Sequence, residues 1–275
     1  MTMGTLGVIG GGVMGEAILS RLVDQGIFAA PQILVSDPQP ARREFLAQTY
    51  GVQTTDQNPE VVAQSETVLL AIKPQMLTAV AEDLSARGTQ NTSPLGLSIL
   101  AGIPLVRLEQ AFPGWAMVRA MPNTPATVGA GITALAAGAS ATADQVQRAK
   151  TIFASVGEVL EVPESMMDAV TALSGSGPGY VALIVEALAD GGVAVGLPRS
   201  AAMQLAIQTL KGTAELLQHS QMHPGVLKDR VTSPGGTTIA GMAQLEASGL
   251  RSALIEAVRA AHRRSVELGQ ASSSQ

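Results

Sequence analysis

The stretch "TLGVIGGGVMGEAIL", Thr5–Leu19, constrains the fold more than any other part of the chain. A short apolar run, Thr5–Ile9, ends in three consecutive glycines, and apolar residues at helical spacing follow at once. Gly10, Gly12 and Gly15 stand in the pattern G-x-G-x-x-G. Strand, glycine turn and helix in that order predict the first βα unit of a dinucleotide-binding domain. The first glycine suits a tight turn, the second lets a pyrophosphate approach the backbone, and the third lets helix and strand pack closely. Peptide N–H groups at the helix start, around Val13 and Met14, then face an anion. The spacing alone also fits a plain glycine turn; its place between strand and helix favours the phosphate loop.

The rhythm of the chain continues this theme and then changes. Apolar runs recur at Gln32–Ser36, Thr67–Ile72, Leu95–Leu100, Trp115–Ala120 and Gly131–Ala137. Helical patterns lie between most of them, at Val13–Gly26, Ala41–Tyr50, Gln75–Ala86 and Thr142–Ser155. Such alternation predicts a parallel sheet covered on both faces. After Pro163 the strand signals stop, and Tyr180, Leu183, Ile184, Ala187 and Leu188 recur at helical spacing. The boundary is placed near Glu161–Glu164, dividing a dinucleotide-binding domain, 1–163, from a helical domain, 164–275. The last residues, "QASSSQ", read as a frayed tail.

Ligands of open α/β sheets collect beyond the carboxyl ends of the strands. Asp37 ends the second predicted strand, where an acid would bind a ribose 2′-hydroxyl and repel the extra phosphate of NADP. Arg42 and Arg43 follow closely enough to pair with that phosphate. Ser36-Asp37-Pro38 also suits an ordinary turn. Lys73, in "AIKPQ", is placed to touch cofactor phosphate or ribose, or else to be a solvated loop residue. The stiff loop "RAMPNTPA", Arg119–Ala126, can wall a nicotinamide pocket, with Asn123 and Thr124 as hydrogen-bonding or turn-forming residues.

Composition narrows the function. Charged residues are 14% of the chain and hydrophobic ones 46%, which points to a broad subunit interface, since large apolar patches are uncommon on soluble monomers. A formal charge of −5 disfavours nucleic acid. With no cysteine and three histidines, thiolate chemistry is excluded and a transition-metal site is not expected. No leader is read before Thr5, so the expected location is cytoplasmic. The apolar stretch Gly179–Leu197 contains Glu186 and Asp190 and reads as an interface helix rather than a membrane span. His223, ahead of Pro224, reads as a helix-start or interface residue; His219 and His262 read as solvated.

Six motifs, in order, carry a resemblance: "IGGGVMG", "AIKP", "MPNTP", "LSGSGPGY" (Leu173–Tyr180), "DGGVAVGLPR" (Asp190–Arg199) and "HPGVLKDRVTSPGGTTIAG" (His223–Gly241). They span nearly the whole chain, and the sequence resembles the pyrroline-5-carboxylate reductases. The resemblance implies an α/β Rossmann-type doubly wound domain followed by an all-α C-terminal dimerisation domain. It implies NAD(P)H-dependent reduction of 1-pyrroline-5-carboxylate to L-proline, the last step of proline biosynthesis. It implies NADPH as cofactor, with NADH also used, and a homodimer that can assemble into a larger ring such as a decamer. The substrate would sit between the nicotinamide and a neighbouring subunit's helical domain.

By the same resemblance the cofactor site comprises Ile9, Gly10, Gly12, Val13, Met14, Gly15, Ser36, Asp37, Asn58, Ala71, Lys73, Pro74 and Ala101. The substrate carboxylate falls to Gly235, Gly236, Thr237 and Thr238, with Ser176 as a further polar contact. This matches the residues themselves: two bare glycines and two hydroxyls at a helix start offer donors to an anion without an arginine. A threonine there could equally cap its own helix, and Ser174–Pro178, read as a break between two helices, equally suits close helix packing. Thr238 is the candidate proton relay to the imine nitrogen. Arg230 stands where some relatives carry Asn, so that position's role does not transfer directly. Two other readings remain open. One is a β-hydroxyacid dehydrogenase of similar architecture, for which Lys211 and Lys228 are the lysines of the helical domain. The other is a non-catalytic dinucleotide-binding regulator.

Overall fold

The structure, a computed structural model, describes residues 3–86 and 93–273. The chain divides into two compact units, Met1–Ser176 with Ala261–Gln275, and Gly177–Ala260.

The first unit is an eight-stranded sheet. In chain order its elements are β1 (Leu6–Ile9), α1 (Val13–Asp24), β2 (Ile33–Ser36), α2 (Pro40–Tyr50), β3 (Gln53–Thr55), α3 (Asn58–Gln64) and β4 (Thr67–Leu70). There follow α4 (Leu77–Ala86), β5 (Leu95–Ser98), α5 (Leu105–Ala111), β6 (Ala116–Met121), β7 (Gly131–Ala137), α6 (Ala143–Ala154) and β8 (Gly157–Glu161). The strand order is β3-β2-β1-β4-β5-β6-β7-β8. Strands β1, β2, β4 and β5 are buried throughout, whereas the edge strands β3 and β8 are not, and alternate residues face opposite layers. Leu69 packs with Ile18, Leu22 and Phe153, while Val68 and Leu70 pack with Val61, Val80 and Leu108.

The doubly wound arrangement expected from the alternation is present, with two differences. The strands β3 and β8 and the helices α3 and α5 carry too short an apolar run to stand out in the sequence. And β7 runs antiparallel to β6. The link between them spans only 122–130, whereas a parallel crossover needs about a dozen residues or more.

The helical part begins with a short helix α7 (Met167–Val170), a π-helical turn Thr171–Gly175, and α8 (Gly177–Ala194). The expected interruption at Ser174–Pro178 is therefore present, as a widened turn that ends at Gly175 and a bend at Ser176 before α8 begins. Residues 164–176 pack on the sheet rather than with the helical unit. Met167 and Ala172 are fully buried, and Glu164 accepts from Arg119 of β6 at 2.8 Å and from the Leu105 N–H at 2.9 Å. Arg119 is 4% exposed. Removing the Glu164 carboxylate strands the buried Arg119 charge, at a cost of about 3–5 kcal/mol.

The second unit continues from α8 through α9 (Arg199–Ser220), α10 (Pro224–Arg230) and α11 (Thr237–Ala247) into α12 (Leu250–Ser273). Helices α8 and α9 meet over Ala189, Ala202 and Ala206, flanked by Val185 and Met203. The last part of α12 belongs to the sheet unit, where the buried Ser265 hydroxyl donates to Asp168 at 2.7 Å. Helix α12 runs to Ser273, into the stretch read as a frayed tail; residues 274–275 lie outside the described residues.

Candidate active site

The registers Ile9↔Ser36, Ile9↔Leu70, Leu70↔Ser98 and Ser98↔Arg119 bring the carboxyl ends of β1, β2, β4, β5 and β6 to one edge of the sheet. The strand order reverses between β1 and β4, the place where such sheets bind ligands. The loops expected to hold the cofactor leave from this edge.

The three glycines of the first loop do three different things. Gly10 has φ +101°, and a Cβ there would lie 2.7 Å from the Ala71 carbonyl oxygen. A Cβ on Gly15 would lie 2.4 Å from the Gly10 carbonyl oxygen, so helix and loop pack too closely for any side chain. A Cβ on Gly12 would meet nothing within 4 Å. Gly12 is also the N-cap of α1 and supplies no capping side chain. The helix start is thus an open cradle with uncapped amides, flanked by Val13, which is 75% exposed. It fits a pyrophosphate.

Residues around the loop hold it in shape. The Gly11 N–H donates to the Asp37 carboxylate at 3.0 Å, whose other oxygen accepts from the Gln39 N–H at 2.9 Å. Arg42 donates to the Gly11 carbonyl and pairs with Glu16, which also accepts from the Tyr50 hydroxyl at 2.7 Å. Partial burial works to raise the Glu16 carboxyl, but the hydrogen bonds from Arg42 and Tyr50 and the Arg42 charge outweigh it and hold it below its ordinary value. Burial, together with the Glu16 acceptor and its charge, pushes the Tyr50 phenol up to about 12. Arg43 donates to the Asp37 and Pro38 carbonyls. The buried Ser36 hydroxyl donates to Asn58, whose amide donates to Asp83 at 3.2 Å. Asp37, Ser36 and Asn58, expected to touch the cofactor, are here bonded to protein.

Ala71 donates to the Ile9 carbonyl at 2.8 Å and brings Lys73 and Pro74 beside the glycine loop. Lys73 is exposed, with no ion pair among the described residues. Ala101 lies exposed beyond β5. Beyond β6, Asn123 is bonded at both ends of its amide, a linkage the sequence reading missed. Its signal was Pro178, four residues after the carbonyl that Asn123 reaches.

Ser176 ends the π-helical turn, half-buried, and its hydroxyl has no partner among the described residues. In the helical unit, Gly235 has φ +67°, in a turn that delivers the chain into α11. The N-cap of α11 is Gly236, not a threonine, and no side chain caps the helix. Thr237 and Thr238 are its first two residues, and their hydroxyls make no hydrogen bond among the described residues. The alternative that threonine caps this helix is therefore not what the structure contains. His223 caps α10, its Nδ1 accepting from the Gly225 N–H at 3.1 Å. Lys211 and Lys228 lie in surface pairs with Glu215 and Asp229.

A phosphate loop at the switch point of a doubly wound sheet, with a helical second unit, defines a dinucleotide-dependent oxidoreductase. Residues 164–268 match the family described as pyrroline-5-carboxylate reductase dimerisation, and residues 5–101 the family described as NADP oxidoreductase, coenzyme F420-dependent. A pyrroline-5-carboxylate reductase of Synechocystis is 57% identical over 265 residues, covering 96% of this chain and 98% of that one. The solved structure of a Coxiella burnetii pyrroline-5-carboxylate reductase superposes with a TM-score of 0.90 at 35% identity, covering 97% and 98% of the two chains. That of a Plasmodium falciparum pyrroline carboxylate reductase with NADP bound gives 0.87 at 30% identity, covering 98% and 99%. The chain belongs to the pyrroline-5-carboxylate reductase family.

Proposed function

We propose that this protein reduces the C=N bond of 1-pyrroline-5-carboxylate to give L-proline, with NADPH as donor and NADH as a weaker substitute. The carrying observation is the start of α11, an uncapped helix end with two hydroxyls unbonded among the described residues and a glycine turn in front of it. Such a helix end favours a carboxylate by about 0.3–1 kcal/mol, more where partly buried. Gly235, Gly236, Thr237 and Thr238 take that carboxylate, and Ser176 adds a polar contact.

When bound, the dihydronicotinamide supplies the hydride to C5 of the ring, and a proton goes to the imine nitrogen. The Gly10–Gly15 cradle holds the pyrophosphate, while Ile9, Val13, Met14, Ala71, Lys73, Pro74 and Ala101 line the rest of that edge. Ser36, Asp37 and Asn58 shape its adenosine end. The Thr238 hydroxyl relays the proton. Neither His nor Cys chemistry is needed for this step.

The family matched by residues 164–268 is described by dimerisation, and the helical unit leaves many apolar side chains open. The helical run Glu164–Ala194 is long and apolar enough to cross a membrane by length and composition. We assign its open face to a second copy of the chain rather than to lipid or nucleic acid. The working form is a cytoplasmic homodimer able to build a larger ring such as a decamer.

The test is NADPH oxidation on addition of pyrroline-5-carboxylate, repeated with Thr238→Ala. That variant should lose about tenfold or more in kcat/KM for the imine, the effect of a lost transition-state hydrogen bond. The KM for NADPH should stay within about twofold. Unchanged kinetics would remove Thr238 from the site.

A further inference from the structure

Pro178 lies four residues after Ser174. In an α-helix the Ser174 carbonyl would accept from the N–H of residue 178. Proline has no N–H, and its ring presses on the same carbonyl. The structure answers in two ways. Upstream, Thr171–Gly175 widens to a π-helical turn, so the Ser176 N–H reaches back to the Thr171 carbonyl at 2.9 Å. And the Asn123 Nδ2 donates to the Ser174 carbonyl at 3.2 Å. At its other end Asn123 Oδ1 accepts from the Ile132 N–H at 2.9 Å. The amide is fixed from both sides and is not free to turn toward a ligand.

The residues joined this way are distant in sequence but close in consequence. Asn123 follows β6 at the carboxyl edge of the sheet, in the loop that leads to the 3-10 turn Thr124–Val128. Ser174 is two residues before Ser176, whose hydroxyl has no partner among the described residues. π-Helical turns are rare and recur at functional sites, because one extra residue re-aims the side chains beyond it.

We propose that Asn123 is a positioning residue for the reduction. It replaces the hydrogen bond that Pro178 removes, and so holds the π-helical turn, with Ser176, in register with the loop after β6. It touches neither substrate nor cofactor. The inference rests on the reading of this protein as an imine reductase with Ser176 at the substrate.

Asn123→Asp tests it. The variant keeps the acceptor for Ile132, but an ionised second oxygen faces the Ser174 carbonyl and cannot donate; once protonated, it donates again. At about pH 7.5, kcat/KM for pyrroline-5-carboxylate should fall about tenfold, the effect of one broken, partly buried hydrogen bond. The KM for NADPH should stay within about threefold of wild type. As pH falls toward about 5.5 the deficit relative to wild type should shrink, because burial beside a carbonyl raises the carboxyl's pKa. A second arm uses Pro178→Ala, which restores an N–H opposite Ser174. Asn123→Ala should cost about tenfold in the wild-type background and under about threefold in the Pro178→Ala background, with the same coupling in thermal midpoints. Equal losses in both backgrounds, a deficit that ignores pH, or an NADPH KM that rises in step with the imine's would each overturn the proposal. A wild type that does not reduce the imine would sink the functional reading along with it, whereas an active wild type with an indifferent Asn123 sinks the proposal alone.

Discussion

The two units use much the same small, weakly charged set of residues to opposite ends. In the sheet unit large side chains such as Phe28, Phe153, Leu22 and Ile18 are almost wholly buried, and the glycine loop stands on that core. Among the described residues of the helical unit the fully or nearly fully buried apolar ones are three alanines, Ala189, Ala202 and Ala206. Meanwhile Leu183 is 66% exposed, Leu205 56% and Val195 83%. One unit has a core of its own and a site shaped within it. The other carries much of its apolar surface on the outside. On the proposed reading, the dinucleotide half of the chemistry is local to one chain, while the carboxylate half falls to the unit whose apolar surface is open.

The largest effect should come from charging that open surface. Leu183→Glu or Leu205→Glu puts a carboxylate where a partner is needed, and unpaired burial of charge costs about 3–5 kcal/mol, roughly a thousandfold in association. Sedimentation should show monomer, and imine reduction should vanish, while NADPH still quenches the Trp115 emission or protects the sheet unit from protease. If these variants remain dimeric and active, the contrast between the units is wrong.

Next is a pair of substitutions in the sheet unit. Gly12→Ala adds a methyl into open space, so stability should change by less than about 0.5 kcal/mol. Cofactor affinity should nevertheless drop about tenfold or more, since the methyl stands where the pyrophosphate approaches. Gly15→Ala drives a methyl into the Gly10 carbonyl. It should cost about 1–3 kcal/mol of stability as well as affinity. Dimerisation should survive both, as read by sedimentation. Equal behaviour of the two variants would show that Gly12 is a structural glycine only.

Much of this was legible in the sequence, and the rest was hidden for definable reasons. Apolar runs flanked by turn residues located six strands, because a strand buried on both faces must be apolar throughout. The edge strand β3, "QTT", has no such run and was missed. The domain boundary was read from a change of rhythm near Pro163, where the matched dimerisation family also begins, while the compact units meet in sequence at Ser176. An ion pair between Arg119 and Glu164 and the burial of Met167 are invisible to periodicity. The glycine loop was legible because each glycine answers to backbone geometry. The role expected of Asp37 was drawn from its position at a strand end and that of Asn58 from the resemblance, and neither says that the Asp37 carboxylate already accepts from the Gly11 N–H or that Asn58 is bonded to Ser36 and Asp83.

The smallest effect concerns the brace behind the glycine loop, and it has a definite sign. Tyr50 has its phenol pushed up to about 12, by burial first and then by the Glu16 carboxylate that accepts from it. A group with a raised folded pKa stabilises fully below its unfolded value, about 10 for tyrosine, and that contribution is lost as pH climbs through about 12. Glu16 has the opposite sense. Its folded pKa is lowered, so its contribution is present above the unfolded value and is lost as pH falls through the folded one. Tyr50→Phe should therefore cost about 1–2 kcal/mol near neutral pH, the worth of a hydrogen bond to a charged group. It should also flatten the alkaline decline of stability between about pH 10 and 12. The phenolate absorbance of wild type minus variant should titrate near the upper end of that window. A difference titration centred near 10 would mean that Tyr50 is not held by Glu16. The Arg42 bond to the Gly11 carbonyl would then be the support of the loop on that side. Because the brace lies wholly within the sheet unit, the dimer should be indifferent to it, which separates this variant from Leu183→Glu in one sedimentation run.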